Sequence, residues 1–297
     1  MAREREKAGD PRDGLRDRSI AARIAAHQET FTRKERQIAR VLTSGSPTHG
    51  LETVAELGRR AAASGATILR FVGKLGFSSY PEFQEALREE LSATLESPLT
   101  RYQSADLRIA KDEALASYAA WSAILMRQTA EMIPAAEFDA IETLLEDLRA
   151  SIHVVGGRFS RSIAEIFCYG LSGIRPNVRF IQDDGRALVH TLTEIRKRDI
   201  VVVFDFRRYQ ENIVNFARLA AETGATLVVV TDKWQSPAAR QARHVLALPV
   251  ASPSIYDSAL APLMCVEALI ARLAERLGVE TERRTGLVDS LYRKLTD

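Results

Sequence analysis

The chain has 297 residues, 46% of them hydrophobic and 27% charged, with a formal net charge of +2. At roughly 100–200 residues per domain this length predicts two domains, and the composition excludes collagen-like, low-complexity and wholly disordered chains. The apolar runs of the second half, such as Ile200 to Phe204, fall far short of the about 20 residues needed to cross a bilayer, so no membrane span is expected.

Residues 1–15 carry mixed charge without the apolar centre of a secretory signal, and read as a disordered, solvated tail of a cytoplasmic protein. Residues 16–95 have helical periodicity throughout. In the run that starts at Phe31, Ile38, Val41 and Leu42 share a face, with Thr32 placed to cap the helix. Val54, Leu57 and Ala61 form the stripe of a second short helix. After Ala61-Ala62-Ala63, Ser64 is placed to cap a third helix with the stripe Ile68, Phe71, Val72 and Leu75, which Gly76 ends. Another amphipathic helix opens at Tyr80 and runs to about Leu95.

Two short helices joined by a tight turn suit a helix-turn-helix, whose second helix enters the major groove of DNA. With the stripe of that helix buried, Thr67, Arg70 and Lys74 fall on the opposite side. Arginine can grip guanine bidentately, threonine can meet a base edge or methyl group, and lysine near the helix end suits a phosphate. Between Val54 and Tyr80 the bases Arg59, Arg60, Arg70 and Lys74 face only one acid, Glu56. A helical interaction module with a solvated basic face is the alternative. The run from Thr32 to Phe83 resembles the N-terminal domain of the RpiR-type bacterial transcriptional regulators. That family places Ser-x-x-Thr at the start of the recognition helix, followed by Arg-Phe and Lys-Leu-Gly-Phe. Here these are Ser64, Thr67, Arg70-Phe71 and Lys74-Leu75-Gly76-Phe77, with Tyr80 and Phe83 beyond. The resemblance implies that Ser64, Thr67, Arg70 and Lys74 face double-stranded operator DNA.

Residues 96–112 lose the periodicity and read as a linker, followed by helical stretches at about 112–133 and 134–150. Residues 113–297 then form the second domain. Short β-branched runs at 152–155, 178–181, 200–204, 226–230 and 245–250 alternate with helical segments, and a long helix from about Asp257 to Leu277 closes the set. Strands separated by helices imply a mostly parallel sheet. The fold class is therefore an all-helical domain followed by an α/β domain. In such sheets ligands bind beyond the C-terminal ends of the strands, where the polar loops hold Gly156, Arg158 and Ser160, then Asp205, Arg207 and Arg208, then Thr231, then Tyr256.

These features resemble the sugar isomerase (SIS) domain, which implies a three-layer sandwich around a five-stranded parallel sheet and binding of a phosphorylated sugar. The family's GxGxS loop keeps Gly156 and Ser160, but Arg158 stands at its second glycine. At the SxSGxT loop this chain has Asp205-Phe206-Arg207-Arg208-Tyr209-Gln210, which retains no hydroxyl of that pattern. Two readings of Arg158, Arg207 and Arg208 stay open. They clamp an anionic effector, or they pair with Asp205, Asp232 or Glu211 and leave an interaction surface.

Gly156 to Arg161 lacks the glycines of a dinucleotide fingerprint, and the five histidines are scattered without ligand spacing. No cofactor and no metal is expected. Cys168 and Cys265 read as reduced core thiols. An isomerase would need a general acid and base, for which His190 and Glu267 are available without any spacing that proposes them. The expected protein is a transcriptional regulator and not an enzyme, with no catalytic residues. It acts as a homodimer or homotetramer, because twofold symmetry matches palindromic half-sites.

Overall fold

The computed structural model describes residues 19–43, 47–95, 98–103 and 113–296. The tail expected at 1–15 lies outside the described residues, as does most of the expected linker. The chain divides into two compact units between Glu96 and Ser97.

The first unit is helical: α1 (Ile20–His27), α2 (Arg33–Thr43), α3 (Val54–Arg60), α4 (Gly65–Lys74) and α5 (Tyr80–Leu95). Its helix starts are fixed by side chains. Thr32 and Glu35 exchange hydrogen bonds across the first turn of α2, and Thr53 and Glu56 form the same reciprocal box on α3. Ser64 caps α4 by accepting from the Thr67 N–H. The expected stripe of α4 is buried to the last member, Ile68, Phe71, Val72 and Leu75, against Leu57, Ile38, Phe31 and Phe83. Between α3 and α4 the chain reverses through Ala62, at φ +47. Gly58 permits this: a Cβ there would lie 2.8 Å from the Ala63 carbonyl oxygen.

The second unit begins with a short helix, α6 (Pro98–Gln103), inside the stretch expected to be a linker. Then come α7 (Ala114–Met132) and α8 (Ala135–Glu146). Five strands follow: β1 (Ile152–Gly156), β2 (Val178–Ile181), β3 (Ile200–Phe204), β4 (Thr226–Asp232) and β5 (His244–Leu248). They are all parallel in the order β2-β1-β3-β4-β5. Alternate residues of each strand feed different layers. Ile152, Val154, Val202, Phe204, Val228 and Val230 pack with α8, α9 (Arg161–Ile174) and α12 (Leu260–Leu277). Val155, Val201, Val203 and Val229 pack with α10 (Gly185–Glu194) and α11 (Glu211–Glu222). The three-layer sandwich is the expected one. Strand β4 runs two residues further than its β-branched run, and β5 ends two residues earlier.

The sequence pattern closes its elements at Leu277, but Gly278, at φ +44, only interrupts the chain. A further helix, α13 (Val279–Thr296), follows without a single buried residue, its leucines Leu287, Leu291 and Leu295 standing exposed among charged neighbours. Cys168 and Cys265 are unpaired and buried. Burial pushes their thiols up to about 11 and about 12, so both stay protonated.

Candidate functional site

On α4 the structure orders the expected residues along a polar ridge. The Ser64 and Thr67 hydroxyls lie 2.8 Å apart and share a hydrogen bond. Arg70 reaches Thr67 Oγ1 at 3.5 Å. Lys74 is committed elsewhere: its ammonium lies 2.9 Å from Glu35 on α2. Burial alone would raise the Glu35 pKa, but hydrogen bonds from Lys74 and Thr32 hold it below the ordinary value. Arg59 and Arg60 have acids as well, Glu56 and Glu52. Arg70 is the base of this surface with no ion pair among the described residues. The Glu35 partner of Lys74, 39 positions away in sequence, is invisible to a local reading of charge.

The second constellation lies past the C-terminal ends of β1, β3 and β4. Gly156 is required by close packing, since a Cβ there would lie 2.8 Å from the Ser160 carbonyl oxygen and 2.9 Å from Ala164 Cβ. Ser160 is only 4% exposed, and its hydroxyl donates to the Gly157 and Phe204 carbonyls at 2.8 and 2.7 Å. It bolts the β1 loop to β3. Thr231 is also buried and accepts from the Ser236 N–H at 2.9 Å. Arg158, Arg208 and Tyr256 are exposed, and Arg208 sits in the left-handed region at φ +61.

Arg207 settles one of the open questions about the arginines. Its guanidinium forks onto both oxygens of Asp257, with Nε to Oδ2 at 2.7 Å, and stacks 5.1 Å from the Trp234 ring. Its partner is none of the acids expected, although its backbone N–H donates to Asp232. Asp257 also takes a 2.9 Å ion pair from Arg101 of α6. Arg158 and Arg208 show no such pairing among the described residues.

Two further acids are buried beside this pair. Asp205 accepts from the Ser236 hydroxyl. Asp232 accepts from the Tyr209 hydroxyl at 2.8 Å and the Trp234 N–H at 2.9 Å. Loss of water around them pushes Asp205 up to about 7 and Asp232 up to about 6. Desolvation raises Asp257 too, against the opposing charges of Arg101 and, without a direct ion pair among the described residues, Arg208. Gln210, at the start of α11, holds its Oε1 buried beside Gly157 without a hydrogen-bond partner among the described residues. Asp232, Ser236, Asp257 and Gln210 stand in the polar loops of the sequence, yet only the fold shows that they converge. Arg101 carried no signal at all.

Residues 18–94 match the model of the rpiR-family helix-turn-helix domain, and residues 144–272 match the SIS domain. An HTH-type transcriptional regulator of Thermotoga maritima is 23% identical over 86% of this chain and 92% of its own length. The sugar isomerase domain of an RpiR transcription factor from Sphaerobacter thermophilus superposes with a TM-score of 0.56. It is 25% identical and covers 59% of this chain and 97% of that one. The Vibrio vulnificus NanR protein, solved with ManNAc-6P, shares the fold with a TM-score of 0.54 at 17% identity, over 93% of this chain and 99% of its own. The chain belongs to the RpiR-type transcriptional regulators, with an rpiR-family helix-turn-helix domain followed by a SIS domain.

Proposed function

We propose that this regulator, a cytoplasmic protein, reads its operator through Ser64, Thr67, Arg70 and Lys74, with Arg70 as the base-reading residue. The observation that carries this is the guanidinium of Arg70, exposed on α4 with no ion pair among the described residues. Arg70→Ala is expected to cost about 1–3 kcal/mol of operator affinity and to relax preference at one position. Fluorescence anisotropy against specific and scrambled duplexes checks this, and unchanged affinity refutes it. The domain bounds we favour are 16–95 for DNA and 113–297 for the effector, with α6 outside the latter but tied to it by Arg101 and Asp257.

The effector edge is proposed to take a small anionic sugar derivative. Arg158 and Arg208 follow adjacent strands and are exposed cations there, as is Lys233 after β4. The unpartnered Gln210 Oε1 can accept from a sugar hydroxyl, and the left-handed Arg208 fits a residue held for ligand contact. ManNAc-6P in the NanR protein is a ligand of this chemical type. Gly156, Ser160, Asp205, Arg207, Thr231 and Tyr256 shape this edge. Sugar phosphates and sugar acids at about 100-fold excess over Kd should stabilise the full chain by roughly 2.7 kcal/mol. A thermal-shift series in which none of them raises Tm removes this reading.

Catalysis is not part of the proposal. His190 lies on α10 and Glu267 on α12, helices that pack on opposite faces of the sheet, so the pair offers no shared acid–base centre.

Self-association is proposed to run through α13, in a homodimer that alone or paired into a tetramer presents two DNA-reading helices. Leu287, Leu291 and Leu295 form one exposed stripe on it. An antiparallel second copy centred on Leu291 sets Leu287 against Leu295, joining apolar to apolar along the stripe. Leu291→Glu places two carboxylates at that centre and is expected to give monomers in sedimentation velocity. An unchanged mass refutes this interface.

A further inference from the structure

The solvent side of α4 is not the polar ridge alone. Ala66, Leu69, Arg70 and Gly73 are all exposed and recur at i, i+3, i+4 and i+7, so they share one face. Leu69 is 51% exposed and is the single large apolar side chain so placed among the described residues of the first unit. A lone exposed leucine is ordinary on a protein surface. Its neighbours here make it otherwise. On the same face stand two residues with almost no side chain, Ala66 and Gly73, one on each side of it along the helix.

Gly73 has no internal reason to be glycine. A Cβ added there meets nothing within 4 Å, and its φ is not in the left-handed region. Glycine is the poorest helix former after proline, so this position gives up helix stability for no contact among the described residues. Bare backbone on an outward helix face is what close approach by an outside surface requires. The helix concerned is the second of the helix-turn-helix, and Arg70 lies on the same face.

We propose that Leu69 is a specificity-determining residue of operator recognition, packing on the C5-methyl group of a thymine beside the base met by Arg70, with Gly73 clearing the approach. In the major groove the methyl of thymine is the one apolar feature that a base pair offers, and apolar side chains read it by contact. The inference rests on the reading of α4 as the recognition helix, but its chemistry is separate from that of Arg70.

The test uses the full chain and duplexes enriched by it from a randomised library. In the enriched duplex each thymine is replaced in turn by uracil, which removes the methyl and leaves the base pairing. One such replacement per half-site is expected to weaken binding about fourfold, the equivalent of one buried methyl group. Leu69→Ala, with its exposed site, should keep the wild-type Tm, bind thymine and uracil duplexes equally and stop enriching thymine at that position. Gly73→Ala should raise Tm and still weaken binding. The proposal is overturned if no thymine-to-uracil change separates the wild type from Leu69→Ala. It also falls if Leu69→Ala weakens all duplexes alike, or if Gly73→Ala binds as well as the wild type. Failure of the Arg70 reading would show instead as unchanged affinity in Arg70→Ala, whatever the uracil series gives.

Discussion

Arg207→Ala is expected to lower the stability of the second unit by about 3 kcal/mol, while Arg208→Ala leaves it unchanged. The adjacent arginines differ in what surrounds them. The Arg207 side chain is 5% exposed and forks onto Asp257, whereas Arg208 is exposed and has no ion pair among the described residues. Removing one partner of a buried pair leaves the other charge desolvated, at a cost of about 3–5 kcal/mol. Arg101 still faces Asp257 in the variant, which places the effect at the lower end. For a unit of this size about 3 kcal/mol corresponds to a fall in Tm of roughly 6–12 °C. Arg208→Ala should show its loss in the effector-dependent release of DNA instead, because losing one charged partner of a bound anion typically costs about 2–5 kcal/mol of affinity. Measuring Tm and effector response for both variants tests the assignment. Equal falls in Tm would contradict the division between a structural and a ligand-facing arginine. Full response in Arg208→Ala would move the effector contacts to Arg158 and Gln210.

The helix-turn-helix was legible because its signals are local. The Ser64 cap, the apolar stripe of α4 and the Gly76 stop lie within a few residues of one another, and each acts on the backbone at that place. The central strands β1, β3 and β4 were legible for a similar reason, since buried parallel strands are written as continuous apolar, β-branched runs. What stayed hidden is long-range. Asp257 stands 50 positions from Arg207 and 156 from Arg101, and many acids were equally eligible as partners. Lys74 reads as a free cation until α2 brings Glu35 to it. The Ser160 hydroxyl, the one position carried over from the GxGxS pattern as a hydroxyl, is turned inward to two carbonyls. A motif letter fixes residue type and not the direction in which the side chain points.

The buried acids of the effector edge give the second large effect, which depends on pH. Asp205 is 2% exposed and its pKa stands at about 7, chiefly because it is cut off from water. In the unfolded chain the same carboxyl titrates near the ordinary value of about 4. Between these values the folded state keeps a proton that the unfolded state has released. The stabilising contribution is therefore complete below about pH 4 and is lost as pH rises through about 7. A shift of this size corresponds to roughly 4 kcal/mol over that window, and Asp232, raised to about 6, acts in the same sense. Asparagine at 205 has the shape of the acid without its charge. The Ser236 hydroxyl, which can donate or accept, keeps its contact with the amide. Asp205→Asn should accordingly be stabilising by about 1.5 kcal/mol at pH 5 and by about 4 kcal/mol at pH 8. Denaturant titrations of both proteins at the two pH values read the difference directly and cancel the titration of groups that Asp205 does not touch, Asp232 being the coupled exception. A variant equally destabilised at pH 5 and pH 8 would mean that Asp205 stays charged in the folded protein, held by Ser236 and the Gln210 N–H. The protonated form also bears on sensing. In the proposed effector site, an anion arriving beside Asp205 and Asp232 would raise both pKa values further, so its binding is expected to take up a proton.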